Sequence, residues 1–209
     1  MAFAIASYIP FPCISYWVAL SRLTELKLDN AEHFEKMSYR NKYYLAAANG
    51  LLTLSIPLQH GREQRTAMKE VHIDNKARWQ TQHWRSIVSA YRRTPYFEYY
   101  EPSLQPLFTQ PYDLLADFNM ASMLWLKDQL ALNFTIHTVD EYSPEYPGAL
   151  YDLRKGLKRK PAPGFPEYYQ PFRDRIGFLP DLSILDLLFA EGPNTMHWIK
   201  TNRENIING

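Results

Sequence analysis

A single cysteine, Cys13, stands among 209 residues, so the chain can form no internal disulfide and no all-cysteine metal site. That scarcity fits a reducing compartment. Glycine is also sparse, with 8 residues against 15 prolines, and neither Gly-x-x-x-x-Gly-Lys nor Gly-x-Gly-x-x-Gly occurs. Activation of a substrate on a familiar nucleotide-binding fold is therefore unsupported. No run approaches the ~18 apolar residues of a membrane span, and the opening Met-Ala-Phe-Ala-Ile-Ala-Ser lacks the charged start of a secretion signal. A cytoplasmic protein without a membrane span is expected. Neither sign of charge prevails, because 23 Lys and Arg against 22 Asp and Glu leave +1, too weak a field to draw nucleic acid or anionic lipid to the whole molecule. Nucleic acid is accordingly disfavoured as a partner.

Aromatic residues are plentiful. At 15% of the chain they exceed what a small core ordinarily takes, and the excess suits either core and rim packing or a surface on which a sugar or base stacks. The length fits one domain, residues 1–209. Phe3 to Ser7 reads as a short buried strand, and Pro10 and Pro12 separate it from a helix over Cys13 to Arg22. Tyr43 to Pro57 reads as a β-hairpin, since Asn49-Gly50 tolerates the two positive φ values of a type I′ turn. Gln59 to Lys69 is polar and loop-like, and Glu70 to Ile73 resembles another short strand.

From Lys76 to Arg92, Trp84, Ile87, Val88 and Tyr91 share one helical face, and Arg78, Arg85 and Arg92 share another that reads as solvated. Thr94-Pro95 ends that helix. The aromatic run Tyr96 to Tyr100 precedes a short helix to Phe108, and a central, largely apolar helix follows over Tyr112 to Leu130. Phe134 to His137 offers a closing strand. Residues 140–166 are rich in Tyr, Pro and Lys, include the basic run Lys155 to Lys160, and read as a long loop. Ser183 to Ala190 is a buried helix with Ser183 and Asp186 at capping-box spacing, stopped by Gly192-Pro193. Thr195 to Ile207 reads as a terminal helix. The expected fold is mixed α/β with an α+β tendency: several helices packed on a small sheet that includes the Asn49-Gly50 hairpin.

The chain resembles the WbqC-like family, particularly its shorter members. The matching pieces are Tyr8-Ile-Pro10 with Ser15-Tyr-Trp17, Ser38 to Lys42, Asn49-Gly50 with Leu54 to Pro57, and the helix from Trp79 to Tyr91. Pro95 to Tyr100, Leu115 to Asn119, Tyr169 to Phe172 and the block Gly177 to Gly192 continue the series in the family's order. Many members open on a His-Gln-Pro-x-Tyr-like segment where Ala4-Ile-Ala-Ser-Tyr8 stands here, and commonly carry Arg at the place of Lys42. The resemblance implies a part in making bacterial surface polysaccharide such as O-antigen, and an acyl- or glycyl-transferase-like activity on a sugar or sugar nucleotide.

Such a transfer needs an activated acyl donor, a base for the amine proton, and donors that stabilise a tetrahedral oxyanion. The donor is expected to arrive already activated, and no cofactor is expected. His83, on the arginine-bearing helix, is the candidate base, with a packed histidine as the plainer reading. No His-Glu-x-x-His or other tight spacing joins the six histidines, so no metal site is expected. Tyr39, Arg40 and Asn41 are candidate substrate-binding residues: Arg40 suits a phosphate or carboxylate, and Asn41 suits hydroxyls or an amide. Asp181, Ser183 and Asp186 are further candidates at a helix start, or only caps. Cys13 reads as a buried hydrophobe. The alternative to an enzyme is a non-catalytic binding or scaffold protein in envelope biogenesis with a protein partner.

Overall fold

The computed structural model describes residues 2–59, 66–154 and 163–207. Strand β1 (Phe3–Ala6) leads through the two prolines to helix α1 (Ile14–Leu20), and β2 (Glu25–Asp29) returns parallel to β1 with Phe3 opposite Glu25 and Ala6 opposite Leu28. This is a βαβ unit. The chain then leaves the sheet to build the hairpin of β3 (Lys42–Ala47) and β4 (Gly50–Ser55) and the helices α2 (Trp79–Tyr91), α3 (Phe97–Leu104) and α4 (Leu115–Gln129). It comes back as β5 (Thr135–Val139) beside β2, then crosses to the far side of β1 as β6 (Tyr151–Leu153). The sheet order is β5-β2-β1-β6, and every pair is parallel. Helices α5 (Arg173–Ile176), α6 (Ile184–Glu191) and α7 (Thr195–Ile207) complete the described chain.

The mixed α/β character is as expected, but the hairpin stands beside the parallel sheet rather than within it. Two strands come from segments not expected to form any. In β2, Glu25-Leu-Lys-Leu-Asp29 alternates charged and apolar residues at strand period, with Leu26 and Leu28 buried. Strand β6 lies inside the segment expected to be a loop; its three residues gain their order from pairing with β1. The basic run Lys155 to Lys160 lies outside the described residues.

Glu70 to Ile73 is not a strand: Met68–Glu70 forms a 3-10 turn, and His72 and Ile73 make only isolated bridges, to Leu114 and Leu58. In the hairpin, Ala48 and Asn49 fill the turn between paired Ala47 and Gly50, and Gly50 alone takes positive φ, at 114°. The type I′ expectation is thus corrected, since a two-residue turn of ordinary φ followed by glycine also reverses the chain.

Helix α2 leaves Arg78, Arg85 and Arg92 in solvent as expected, but its inner face is Trp79, His83, Ile87 and Tyr91, with Trp84 and Val88 of the expected face only half-buried. Helix α4 is central: its Phe118 ring meets Phe11, Trp79, Phe108 and Tyr112. Each such buried ring or branched chain contributes about 1.5–3 kcal/mol. Helix α6 is buried from Ile184 through Ala190 and ends at Gly192, whose φ is 54° and where an added Cβ would lie 2.5 Å from the Tyr96 ring. Among the described residues no helix is long and apolar enough to cross a membrane.

Candidate functional site: a cleft at the carboxyl edge of the sheet

All four strands of the sheet point the same way, so their carboxyl ends form one rim. The chain steps outward from β1 to β2 to β5 and then jumps across β1 to β6, and such a switch leaves a crevice at that rim where ligands bind in open α/β sheets. At the end of β2 the Asp29 Oδ1 accepts from the Ala31 and Glu32 amides at 3.1 and 2.9 Å, which turns the chain away from the sheet. Residues 30–34 then pair with 66–69 through Phe34 N to Thr66 O, Met68 N to Glu32 O and Lys69 N to Asn30 O, at 2.9 to 3.1 Å. This frame fixes the lip of a cavity of about 600 Å³ lined by Glu32, His33, Phe34, Glu35, Lys36, Arg40, Tyr142 and Arg154. Tyr142 comes from the chain after β5, and Arg154 is the first residue after β6.

Two buried arginines dominate the cleft, and they differ in kind. Arg154 donates from Nε and Nη2 to Asp152 (3.0 and 2.7 Å), from Nη1 to Asp29 (2.8 Å) and to the Ser143 carbonyl (2.7 Å), and from Nη2 to the Pro144 carbonyl (3.3 Å). These contacts occupy the five N–H groups a guanidinium owns, so Arg154 ties the ends of β2 and β6 to the chain after β5. Hydrogen bonding to Asp152 and Asp29 raises its pKa further against burial, so it stays charged.

Arg40 grips Glu32 side-on, Nε to Oε1 at 3.1 Å and Nη2 to Oε2 at 2.7 Å, and its Nη1 reaches Glu35 at 3.2 Å. The Arg40 backbone carbonyl is held by Asn119 Nδ2 at 2.8 Å. Burial raises the Glu32 carboxyl above the ordinary range, opposed by Arg40 and by Ser7, whose hydroxyl lies close enough to favour the charge without a well-formed hydrogen bond. A carboxylate so placed in a cleft can take a proton from a bound amine or hydroxyl. Phe34 and Tyr142 offer rings beside the charges, and a sugar face stacks on such rings. A second cavity of about 250 Å³ opens at the same rim, where Tyr8 and Thr138 hydroxyls meet at 3.0 Å beside Asn30, Lys69 and Asp117.

Among the candidate residues proposed from sequence, Arg40 lines the cleft. Tyr39 is buried edge-on to Tyr44, and Asn41 donates to the Ile56 carbonyl at 2.9 Å, fixing the hairpin's exit. His83 sits away from the cleft lining, with Nδ1 3.1 Å from the Tyr43 hydroxyl and Nε2 3.3 Å from the Ser55 carbonyl. The carbonyl can only accept, so Nε2 carries the proton and Nδ1 accepts from Tyr43. Burial lowers the His83 pKa to about 4, and its ring is neutral near pH 7.

Asp181 accepts from the Ser15 amide at 2.8 Å and its hydroxyl at 2.7 Å, capping α1 from 166 residues away in sequence. Ser183 caps α6 through the Leu185 amide at 3.3 Å. Asp186 does not complete a capping box. Its carboxylate accepts from the Tyr91 and Tyr168 hydroxyls at 2.6 and 2.7 Å and from Gln170 Nε2 at 2.9 Å, stitching α2 and the chain before α5 to α6. Cys13 is buried against Ser15, and burial pushes its thiol up, away from nucleophilic use.

Glu32, Glu35, Phe34, Tyr142 and Arg154 were not singled out from the sequence. The strand-period alternation of Glu25 to Asp29, followed by Asn-Ala-Glu, is the signal that could have placed a rim there. No curated protein and no solved structure matches the chain. The profile of the WbqC-like protein family matches residues 7–160, a span that opens just after β1 and takes in every described residue lining the cleft, while the Gly177 to Gly192 block lies beyond it. With that match over most of its length, the chain belongs to the WbqC-like protein family.

Proposed function

We propose that the carboxyl-edge cleft binds a sugar or sugar nucleotide, and that the protein is an acyl- or glycyl-transferase-like enzyme of bacterial surface polysaccharide synthesis. The observation that carries the reading is the buried Glu32–Arg40 pair lining a cleft with Phe34 and Tyr142, at the rim where parallel sheets bind ligands. Arg40 orients the sugar or its phosphate, the rings stack on its face, and Glu32 takes the proton from the attacking amine or hydroxyl. The smaller cavity beside Tyr8 suits the second reactant, an acyl donor activated elsewhere.

The test is thermal-shift and calorimetric screening of sugar nucleotides against the wild type, Arg40→Lys and Glu32→Gln, each shown by circular dichroism to be folded. A ligand at a hundred times its Kd stabilises by about 2.7 kcal/mol. Arg40→Lys, which loses the planar fork, is expected to bind at least tenfold more weakly. Glu32→Gln is expected to bind yet not turn over. Absence of any sugar-nucleotide response in the wild type would sink the reading.

A second reading, binding without catalysis, draws on β1, where Ala4, Ile5 and Ala6 are fully buried at the place of the family's polar leading segment. Binding with no acyl transfer from any activated donor would favour it.

A further inference from the structure

Arg40 and Arg154 line the same cleft, but they differ in how exposed and how firmly held their outer counter-ions are. Every N–H of the Arg154 guanidinium is engaged, by the fully buried Asp29, by two backbone carbonyls, and by Asp152, which is 34% exposed but held by two bonds where Glu35 has one. Arg40 is held on its inner side by Glu32, whose side chain is 5% exposed, whereas Glu35, the partner of its Nη1, is 70% exposed. The Glu32 pair is desolvated on both sides; in the Glu35 pair the carboxylate faces solvent, which screens the contact toward the ~1 kcal/mol of an exposed bridge.

The backbone around Glu35 does not depend on that contact. Its carbonyl accepts from the Ser38 hydroxyl at 2.5 Å, Ser38 Oγ accepts from the Arg40 amide at 3.3 Å, and the Met37 carbonyl accepts from Lys42 Nζ at 3.2 Å. The Glu35 side chain can swing into solvent while the loop and Arg40 stay in place.

We infer that Glu35 is a built-in stand-in for the anionic group of the ligand: it holds Arg40 Nη1 until a phosphate or carboxylate takes that seat and displaces it. The inference rests on the cleft being the ligand site proposed above, and it assigns the ligand an anionic group at Arg40 Nη1. Glu35 thereby sets a threshold. A neutral sugar cannot evict a carboxylate from a guanidinium, so the cleft selects a phosphorylated or carboxylated form, which gains a charge-assisted bond in exchange for the one it breaks.

The experiment is calorimetric titration of inorganic phosphate and pyrophosphate into the full chain at fixed ionic strength, comparing the wild type with Glu35→Gln and Glu35→Asp. Glutamine removes the competing charge. Aspartate keeps the charge but is one methylene too short to reach Nη1. Both variants are expected to bind pyrophosphate about fivefold more tightly than the wild type, the factor that corresponds to ~1 kcal/mol. Tightening by Glu35→Gln alone would mean that only the general field of the cleft changed, and would overturn the displacement. Equal affinity in all three proteins would overturn it while leaving the cleft as a binding site. No binding by any of them would overturn this inference, and a positive sugar-nucleotide response would then show the proposed site to stand without it.

Discussion

Two of the regions that bury titratable groups in this molecule do so by opposite means. At the carboxyl edge of the sheet each buried charge meets an opposite charge: Arg154 with Asp29 and Asp152, Arg40 with Glu32. Behind the hairpin and under α6 the buried groups meet only neutral partners: His83 lies between a phenol and a carbonyl, and Asp186 between two phenols and an amide. Where a counter-ion is present it opposes burial: Arg154 is held charged, and the Glu32 carboxyl, though still raised by burial, is drawn back by Arg40. Where none is, burial moves the group toward its neutral form, to about 4 for His83 and about 6 for Asp186. The first arrangement keeps charge available to a ligand; the second makes stability depend on pH.

The largest effect should come from breaking a pair at the rim. Arg154→Met leaves Asp29, fully buried, without its cation and releases the chain after β5, so a loss of about 3–5 kcal/mol is expected in urea unfolding. Asp29→Asn combined with Arg154→Met should be less damaging than Arg154→Met alone, because no fully buried lone charge remains and Asp152 is partly exposed to water. If the single substitution cost less than about 1 kcal/mol, the rim would be no more dependent on pairing than a surface bridge.

The next effect is a pH dependence with a defined sign. The folded state lowers His83 from 6.5 to about 4, so the unfolded chain binds its proton more readily, and stability is lost as pH falls from 6.5 through about 4. Between pH 7.5 and pH 5 this group alone should remove about 2 kcal/mol. His83→Gln keeps hydrogen-bonding capacity without a titration, and the gap between its unfolding free energy in urea and that of the wild type should narrow by that amount at the lower pH. A constant gap would mean that His83 is solvated in the native state.

Asp186 has the opposite sign. Its folded pKa is raised from 3.8 to about 6, so its contribution is full below 3.8 and is lost as pH rises through 6. Going from pH 5 to pH 7.5 should remove on the order of 1 kcal/mol, and Asp186→Asn should abolish that slope. The two groups partly cancel in the wild type, so the comparison must be made variant by variant.

How far the sequence disclosed these regions follows from the range of the forces involved. The hairpin, the two-faced α2, the central α4 and the buried α6 were readable because periodicity, turn chemistry and caps act within a few residues. Strand β6 was not, because three residues become a strand only by pairing with β1, some 150 positions earlier. The cleft shows the same division. Arg40 could be picked out as a fork-bearing residue in a polar cluster, but that Glu32 would clasp it depended on the Asx turn after β2 and on residues 66–69 holding that turn open. Asp186, three residues after Ser183, fitted a local cap, and only the fold brought Tyr91 and Tyr168 within reach of its carboxylate. Spacing in sequence overestimates local partners wherever a buried polar group can find distant ones.

The smallest effect tests the outer limit of the comparison, charge that is exposed and has no ion-pair partner among the described residues. Arg78, Arg85 and Arg92 repeat along the exposed face of α2, where long cationic side chains keep their hydration in the folded and unfolded states alike. Replacing Arg85 by Gln should therefore move the unfolding free energy by no more than about 0.5 kcal/mol at any pH between 5 and 8. The triple change of all three to Gln should leave affinity for pyrophosphate within twofold of the wild type. A larger loss in that variant would mean that the helix face supplies part of the field at the rim, and the division between a charged cleft and a solvated helix would have to be redrawn.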